Sequence, residues 1–513
     1  MIENMLKIVL LPLDERPCNY RFPDKLFRHE QLRIVKPKKL GNKKTPASFD
    51  ELTDFLRSEC ADADGLVISM DMLLYGGLVP SRLHHETKDT LLERIQLLRE
   101  LREINKSLVI YAFQVIMRCP DYSSDDEEPS YYQICGKEIH SLGVSVHLSR
   151  LGMESDVSVR EAMERVDSKY LDDYISRREI NRYMNVETLQ LARDGVIDGL
   201  VIPQDDSARY GYAALDQKII REKIAEYDMD DCVLMYPGAD EVELTLLSRM
   251  LNTLAHRRPK IYVKYASDMS RTLIPLYEGC TLSTTVKSHI LSAGCLTTES
   301  YEAADIVLCI TAPSENMEEA VRQPSEKLCY CVERNIAEMM GLIRYCVENH
   351  KIVSVADNAY ANGADLGVIR VLNKNGLLMK LDGYAGWNTS ANTLGTAIAE
   401  AVDAYLYGNT KQHKTFLAER YIEDAGYCAA VRKSVSDSLP QDMSYFDVKE
   451  SDGVVAARVQ EELMKFTREK LSSVADRICI QKVSMPWRRM FEVDLEIQYE
   501  SDEADLSAAA ERR

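Results

Sequence analysis

The sequence predicts an α/β fold built on parallel strands. Nine short apolar runs recur between residues 7 and 384, and segments with helical periodicity lie between them. Continuous apolar runs are typical of strands that are buried on both faces, and strands that alternate with helices form parallel sheets. This alternation predicts a (β/α)8-type barrel with one additional strand, and two doubly wound α/β domains are the alternative.

The apolar runs define the predicted strands, and the periodic segments between them define the crossover helices. The clearest helix is Thr90–Ile104, where apolar residues recur at positions i, i+3, i+4 and i+7. We interpret residues 1–402 as the catalytic barrel. The strands are expected at 7–13, 65–70, 108–117, 199–203, 231–236, 261–265, 305–310, 351–356 and 379–384, with further helices at 187–194, 216–226 and 241–254.

The alternation of strands and helices ends near Asp403. Beyond it, residues 405–436 and 454–476 have helical patterns, and residues 490–499 alternate like a half-buried strand. We therefore expect a mainly helical C-terminal extension with a late strand over residues 403–500. The polar, alanine-rich residues 501–513 are expected to form a frayed tail.

Composition and charge exclude several classes of partner. Lys and Arg number 63 against 82 Asp and Glu, and the net charge of −19 disfavours nucleic acid and anionic membranes. No signal peptide is evident, and no apolar run approaches the ~20 residues of a membrane span. Thirteen scattered cysteines without paired CxxC spacing indicate reduced thiols in a cytoplasmic protein. We expect a small-molecule partner, and homo-oligomerisation stays open.

Polar side chains follow most of the predicted strands. Ligands of α/β folds bind at the carboxyl ends of strands, so these residues are expected to form one pocket. The sequence lacks GxGxxG, GxxxxGK[ST] and histidine motifs for metals, so neither a cofactor nor a bound metal is predicted. The expected substrate-binding residues are Asp14, Arg16, Asp71, Tyr75, Arg118, Asp240, Glu241, Asp357, Asn358, Trp387 and Asn388.

The adjacent carboxylates Asp205 and Asp206 are the expected catalytic residues. They follow the predicted strand 199–203. Two neighbouring carboxylates repel, so the pKa of one rises and that group can act as a general acid. The alternative is that the pair forms a solvated loop or caps a helix over residues 207–212. Likewise, Asp240 can contact the ligand or cap the helix that follows it.

The segment around Trp387 suggests a sugar subsite. An aromatic ring can stack on the C–H groups of a sugar, and amides such as Asn388 can bind its hydroxyls. The alternative is that the ring belongs to the core and a neighbouring residue caps a helix. The acidic segment Ser123–Ser130 is expected to be a solvated loop that can border the pocket.

Several motifs together resemble one bacterial family of proteins of about this length, catalogued as a domain of unknown function. They are LPLDERPCNY, DMLLYGGLVPSR, PQDDSARYGY, YPGADEV and YAGWNTSANTLGT, which lie between Leu11 and Thr396. A more distant resemblance is to barrel glycosidases of the β-N-acetylhexosaminidase type, whose adjacent Asp-Asp pair follows the fourth strand. That resemblance implies that Asp205 orients the substrate's acetamide and that Asp206 is the general acid/base.

These expectations lead to a hypothesis of function. The chain is predicted to be a glycoside hydrolase that acts exo on a small or terminal sugar, with a β-N-acetylhexosaminide suggested by the second resemblance. A metal-dependent hydrolase or lyase that uses the carboxylates of Asp14, Asp71, Asp205, Asp240 and Asp357 is one alternative. A sugar-binding protein without activity is the other.

Overall fold

The structure is a computed structural model that describes residues 5–502 and 505–508. The expectation of a frayed tail over 501–513 falls partly on residues 503, 504 and 509–513, which lie outside the described residues.

Seventeen strands lie in the described part of the chain. They are β1 (Leu6–Leu11), β2 (Leu32–Val35), β3 (Gly65–Ser69), β4 (Val109–Phe113), β5 (Gly199–Gln204), β6 (Val233–Pro237), β7 (Lys260–Tyr265), β8 (Leu296–Thr298), β9 (Ile306–Ile310), β10 (Glu318–Glu319), β11 (Ile352–Ala356), β12 (Tyr360–Ala361), β13 (Gly383–Ala385), β14 (Gly408–Asn409), β15 (Ile478–Ser484), β16 (Asp494–Tyr499) and β17 (Ser507–Ala508).

Helices fill most of the segments between these strands. A π-helix at Tyr421–Val431 lies between the α-helices Lys411–Arg420 and Arg432–Ser436. The α-helices are α1 (Pro17–Tyr20), α2 (Phe22–Leu26), α3 (Phe49–Cys60), α4 (Met70–Tyr75), α5 (Leu78–Ser81), α6 (Lys88–Ile95), α7 (Leu97–Ile104), α8 (Tyr132–Arg150), α9 (Asp156–Met163), α10 (Ser168–Arg193), α11 (Tyr212–Glu226), α12 (Val242–Leu254), α13 (Leu282–Ser292), α14 (Leu328–Cys331), α15 (Ile336–Glu348), α16 (Leu366–Lys374), α17 (Ser390–Tyr407), α18 (Lys411–Arg420), α19 (Arg432–Ser436) and α20 (Val454–Lys470).

The main strands form two separate parallel sheets, which confirms the α/β class. The first sheet has the order β2-β1-β3-β4-β5-β6, and the second has the order β13-β11-β9-β7-β8. Counted along the chain within each sheet, both contain the order 2-1-3-4-5 of a doubly wound fold. We call these sheets and their flanking helices the first and second α/β units.

The expected single eight-stranded barrel is therefore not what these strands form, and the arrangement matches the alternative of two doubly wound domains. The two arrangements share the same alternation of strands and helices along the chain. They differ only in which strands pair across the sheet. The resemblance to barrel glycosidases accordingly does not extend to the fold.

Eight of the nine expected strands occur, as β1, β3, β4, β5, β6, β7, β9 and β11. The ninth, expected over 379–384, is present only at its end as β13, because Leu378–Lys380 form a 3-10 helix. The sequence did not predict β2 and β8, which are the edge strands next to β1 and β7 in their sheets. Both are short, and much of each strand is solvent-accessible. An edge strand of this kind has no continuous apolar run, so the pattern that identifies central strands is absent.

One layer of helices lies between the two sheets. Helices α12, α13 and α17 pack on one another, and α17 also contacts β11 and β13 while α12 contacts β3 and β4. A single apolar cluster contains residues from both sheets, among them Leu10, Phe113, Leu308 and Ile352. Helix α17 is buried on almost every side, which explains its high content of alanine.

Outer helices cover the other face of each sheet. Val9 and Leu11 pack in a cluster with α3, α6, α7 and α10, whereas Val353 and Val355 pack with α15, α16 and the C-terminal segment. The segment expected as a C-terminal extension contains α18, the π-helix, α19, α20 and the antiparallel pair β15–β16. None of the helices among the described residues is long and apolar enough to cross a membrane.

The close approach of α12 and α17 predicts the effect of a methyl group at Gly395. A Cβ atom there would lie 2.2 Å from Cγ of Glu241 and 2.9 Å from Oγ1 of Thr245. We expect Gly395→Ala to lower the free energy of unfolding by ~1–3 kcal/mol, because the central layer has no room to adjust. Urea denaturation measures this change.

Gly341→Ala is the matched control, because Gly341 also lies in a helix but a Cβ there meets no atom within 4 Å. We expect this variant to be neutral or more stable by up to ~1 kcal/mol, since alanine restricts the unfolded chain. Equal effects of the two substitutions would contradict the tight packing between α12 and α17.

Candidate active site

A cavity of about 310 Å³ lies where the carboxyl ends of both sheets meet. The first α/β unit contributes the segments that follow β1, β3, β4, β5 and β6, and the second contributes residues after β7, β12 and β13. The C-terminal segment completes the wall. The lining residues are Arg16, Leu78, Arg82, Arg118, Asp121, Tyr122, Glu127, Gln204, Asp205, Asp206, Gly238, Ala239, Asp240, Tyr277, Glu278, Asn362, Asn388, Thr389, Asn392, Tyr445, Phe446, Arg489 and Phe491.

Asp205 and Asp206 lie side by side on this wall, and each accepts hydrogen bonds from its own arginine. Oδ2 of Asp205 accepts from Nη2 of Arg82 at 2.6 Å, and Oδ2 of Asp206 accepts from Nη1 of Arg118 at 2.8 Å. Helix α11 begins only at Tyr212 with Gly211 as its N-cap, so neither aspartate caps it. The cap that was the alternative to catalysis is thus not formed.

The two aspartates differ in their exposure to solvent. The Asp205 side chain is 12% exposed and that of Asp206 is 30% exposed. Enclosure by the protein raises the pKa of Asp206 to about 6, and the negative charge of Asp205 adds to this effect, although Arg118 opposes it. A carboxyl with this pKa can both donate and accept a proton near neutral pH.

The acidic loop between β4 and α8 turns inward rather than into solvent. Glu128 is fully buried and accepts from Nε of Arg118 at 2.8 Å, while Oε2 of Glu127 accepts from Nη1 of Arg82 at 2.9 Å. Glu127 also pairs with Arg489 from the C-terminal segment. The loop therefore holds three of the arginines on the cavity wall, and it borders the cavity through Glu127, as the sequence allowed.

A second chain of hydrogen bonds joins the two α/β units. Arg16 donates to Oδ2 of Asp14 at 2.7 Å and to Oδ1 of Asp240 at 2.5 Å. Asn388 of the second unit donates to Oδ2 of Asp240 at 3.1 Å. Asp240 binds side chains here and does not cap α12, whose N-cap is Glu241. Burial raises the pKa of Asp240 to about 6, and Arg16 opposes this shift.

Six of the residues expected from the sequence line the cavity: Arg16, Arg118, Asp205, Asp206, Asp240 and Asn388. The other seven do not: Asp14, Asp71, Tyr75, Glu241, Asp357, Asn358 and Trp387. Asp14 lies directly behind the wall, where it holds Arg16. The remaining six have structural partners that explain why they lie elsewhere.

Three of these six residues support backbone segments near the strand ends. Asp71 accepts from the Val115 N–H at 2.8 Å, and burial raises its pKa to about 7. Asp357 accepts from the Tyr384 hydroxyl at 2.7 Å and also bonds Thr311 and the Asp365 N–H. Asn358 donates to the carbonyl of Ser390 at the start of α17. A strand-end position alone does not separate such structural polar groups from ligand-binding groups.

The other three are buried by packing. Trp387 packs edge-on against Phe22 with ring centroids 5.8 Å apart, and its indole N–H donates to Thr396. It thus belongs to the core, which was the alternative interpretation. Tyr75 stacks on His84, and Glu241 bonds His289 at 2.9 Å.

The sequence did not indicate several of the lining residues. Arg82 and Glu127 lie in segments that were considered, but nothing in the pattern distinguished them from surface charges. Glu278, Arg489 and Phe491 follow no recognisable strand, and only the folded chain brings them to the cavity. A buried glutamate in a short loop has no signature in sequence spacing.

Backbone strain also concentrates at the cavity. Four lining residues that are not glycine have positive φ angles: Asp206 at 33°, Tyr277 at 67°, Asn362 at 61° and Asn388 at 52°. Such conformations cost ~1–3 kcal/mol each and persist where the surrounding structure holds them, often at functional sites.

The carboxylates proposed as ligands of a divalent ion have other partners. Within residues 5–502 and 505–508, no group of three or more His, Cys, Asp or Glu side chains is placed to hold a metal ion. Asp14, Asp205 and Asp240 bond arginines, while Asp71 and Asp357 bond backbone or hydroxyl groups.

Comparison with known proteins gives the family of the chain. The sequence profile of the family described as "Protein of unknown function (DUF4127)" matches residues 8–496. The chain belongs to this family. The expected resemblance to a family of unknown function is thereby confirmed. No curated protein and no solved structure matches the chain significantly.

The arginine network predicts a large loss of stability when one arginine is removed. Arg82→Met removes the guanidinium that pairs with three carboxylates, those of the buried Glu128 and the partly buried Glu127 and Asp205. We expect the free energy of unfolding to fall by ~3–5 kcal/mol, because breaking a buried ion pair leaves an uncompensated charge. Urea denaturation at neutral pH measures the change.

Arg57→Met is the matched control, since Arg57 pairs with Glu100 on the surface, with both side chains about half exposed. We expect a change within ~1 kcal/mol. A loss of stability in Arg82→Met no larger than that of this control would show that the cavity network contributes little to the folded state.

Proposed function

We propose that this protein is a glycoside hydrolase that acts on a small or terminal sugar. The observation that carries the proposal is the adjacent pair Asp205–Asp206, held by two arginines on the wall of the cavity. Glycosidases need two carboxyl groups beside the scissile bond, one of which transfers a proton to or from the reacting atoms. Asp206 is suited to proton transfer by its pKa and by its exposure to the cavity.

The composition of the wall supports a sugar as the substrate. Amide side chains from Gln204, Asn362, Asn388 and Asn392 can bind hydroxyl groups, and they line the same cavity as five aromatic rings. The rings are those of Tyr122, Tyr277, Tyr445, Phe446 and Phe491, and they can stack on a sugar as was expected of Trp387. Amides and rings together are the usual surroundings of a bound sugar.

The size of the cavity supports action at a chain end. Its volume of about 310 Å³ lies near the lower limit of ligand pockets, which span ~300–1,000 Å³. Tyr445, Phe446, Arg489 and Phe491 of the C-terminal segment form one side of the wall. A site of this size suits one terminal residue better than the middle of a polysaccharide.

The proposal includes the surroundings in which the enzyme acts. All thirteen cysteines are free and most are buried, which fits a reducing compartment such as the cytoplasm. The net charge of −19 favours a small-molecule substrate over nucleic acid or an anionic membrane.

The test is hydrolysis of a panel of aryl glycosides that includes N-acetylhexosaminides, followed by substitution of the pair. We expect Asp206→Asn to lower kcat/KM by ~10²–10⁴-fold, because proton transfer by a positioned carboxyl contributes that factor. Asp205→Asn is also expected to slow the reaction, since its charge raises the pKa of Asp206 and holds Arg82.

The matched control is Asp231→Asn, because Asp230 and Asp231 are also adjacent aspartates but are exposed before the amino end of β6. This variant should keep the wild-type rate. Thermal unfolding shows whether each variant is folded. Wild-type rates in folded Asp205→Asn and Asp206→Asn would remove the pair from catalysis, and binding of sugars without turnover would identify a binding protein instead.

A further inference from the structure

Glu278 is a buried carboxyl on the cavity wall that comes from the second α/β unit. It lies between β7 and α13 and is only 4% exposed. Its Oε1 accepts from the Ala391 N–H at the start of α17 at 2.7 Å. Among the described residues, its Oε2 has only a long contact of 3.4 Å with the Thr285 hydroxyl. One carboxyl oxygen is therefore held firmly, and the other is only weakly bound within the protein.

Glu278 differs in its partners from four other carboxyls of the wall. Asp205, Asp206, Asp240 and Glu127 each pair with at least one arginine. Among the described residues, Glu278 forms no ion pair. Burial, with a smaller contribution from the nearby Glu241, raises its pKa to about 8. Glu278 thus holds its proton at neutral pH, when most of Asp206 is ionised.

The loops that carry Asp206 and Glu278 are in direct contact. The Ser207 N–H donates to the Tyr277 carbonyl at 2.8 Å. A Cβ atom on Gly279 would lie 3.4 Å from Oγ of Ser207. Asp206 precedes Ser207 in the sequence, and Glu278 follows Tyr277. The two carboxyl groups therefore lie beside this contact, and they line the same cavity from the two α/β units.

We propose that Glu278 is the proton donor to the leaving group and that Asp206 is the base that activates water. The inference rests on the proposed glycoside hydrolysis and divides its two carboxyl roles between the two units. The pair that reacts would then be Asp206 and Glu278, while Asp205 positions Asp206 and Arg82.

The step balances without any other reactant than water. Glu278 gives its proton to the glycosidic oxygen as the bond from this oxygen to the anomeric carbon breaks, and the bonding electrons remain on the departing alcohol. The water oxygen bonds to the anomeric carbon, and Asp206 accepts a proton from it. Glu278 is then ionised and Asp206 is protonated, and exchange with solvent restores both.

This division of roles differs from the acetamide-assisted mechanism that the sequence suggested. Direct attack by water on the face opposite the leaving group inverts the anomeric configuration. Assistance by the acetamide proceeds through two displacements and retains it. The configuration of the first-formed product therefore distinguishes the two assignments.

The first experiment follows product configuration by proton NMR and compares wild type with Glu278→Gln on two sets of glycosides. We expect inversion, and a loss of ~10²–10⁴-fold in kcat/KM for alkyl glycosides, which need protonation of the leaving oxygen. Activated aryl glycosides should be slowed much less. The fall in wild-type kcat/KM above pH of about 8 should disappear in the variant.

The second experiment tests the proton on Glu278 without turnover. A carboxyl whose pKa is raised by folding stabilises the protein at acidic pH, and this contribution is lost as pH rises toward about 8. Glu278→Gln keeps an uncharged group, so its Tm relative to wild type should increase from pH 5 to pH 9. Glu326→Gln, at an exposed glutamate, should show no such trend.

The outcomes separate the two proposals. Hydrolysis with retention, wild-type rates of Glu278→Gln on alkyl glycosides, or a Tm difference that is independent of pH would overturn the role of Glu278 and leave glycoside hydrolysis intact. Absence of hydrolysis with every glycoside of the panel would overturn the proposed function and this inference with it.

Discussion

The compensation of buried charge holds the strand-end loops of this protein in place. Arg82 and Arg118 come from different strand-end segments, yet both bond the inward-turned loop that carries Glu127 and Glu128. Each also bonds one carboxylate of the Asp205–Asp206 pair. Removing any member leaves a partner charged and poorly solvated, so these groups are tied to one arrangement. The shape of the cavity follows from that arrangement.

The boundary between the two α/β units is part of the site and not merely beside it. The shared layer of α12, α13 and α17 brings the two sheets into one core, and the carboxyl ends of both face the cavity. Asn388 bonds Asp240 across the boundary, and Ser207 bonds Tyr277. A substrate in the cavity would contact both units. A change in their relative position would alter several lining groups together.

Local patterns allowed the strands to be predicted but not their pairing. Central strands such as β3 and β11 are buried along their whole length, so their apolar runs identify them. The edge strands β2 and β8 have no such runs. A single barrel and two open sheets require the same order of elements along the chain, and contacts between distant residues decide between them. Whether the strands close into one barrel or form two open sheets could therefore not be predicted from the sequence.

The sequence alone specified the class of the fold, the position of most strand ends and the polar residues that follow them. It placed Arg16, Arg118, Asp205, Asp206, Asp240 and Asn388 correctly at the strand ends that meet the cavity. The tertiary structure determines which strand-end groups point into the cavity and which support the backbone, as Asp357 does. It alone brought Glu278 and Arg489 to the wall. The reason is that a strand end restricts where a residue lies through local geometry, whereas its exposure, partners and pKa depend on segments far away in the chain.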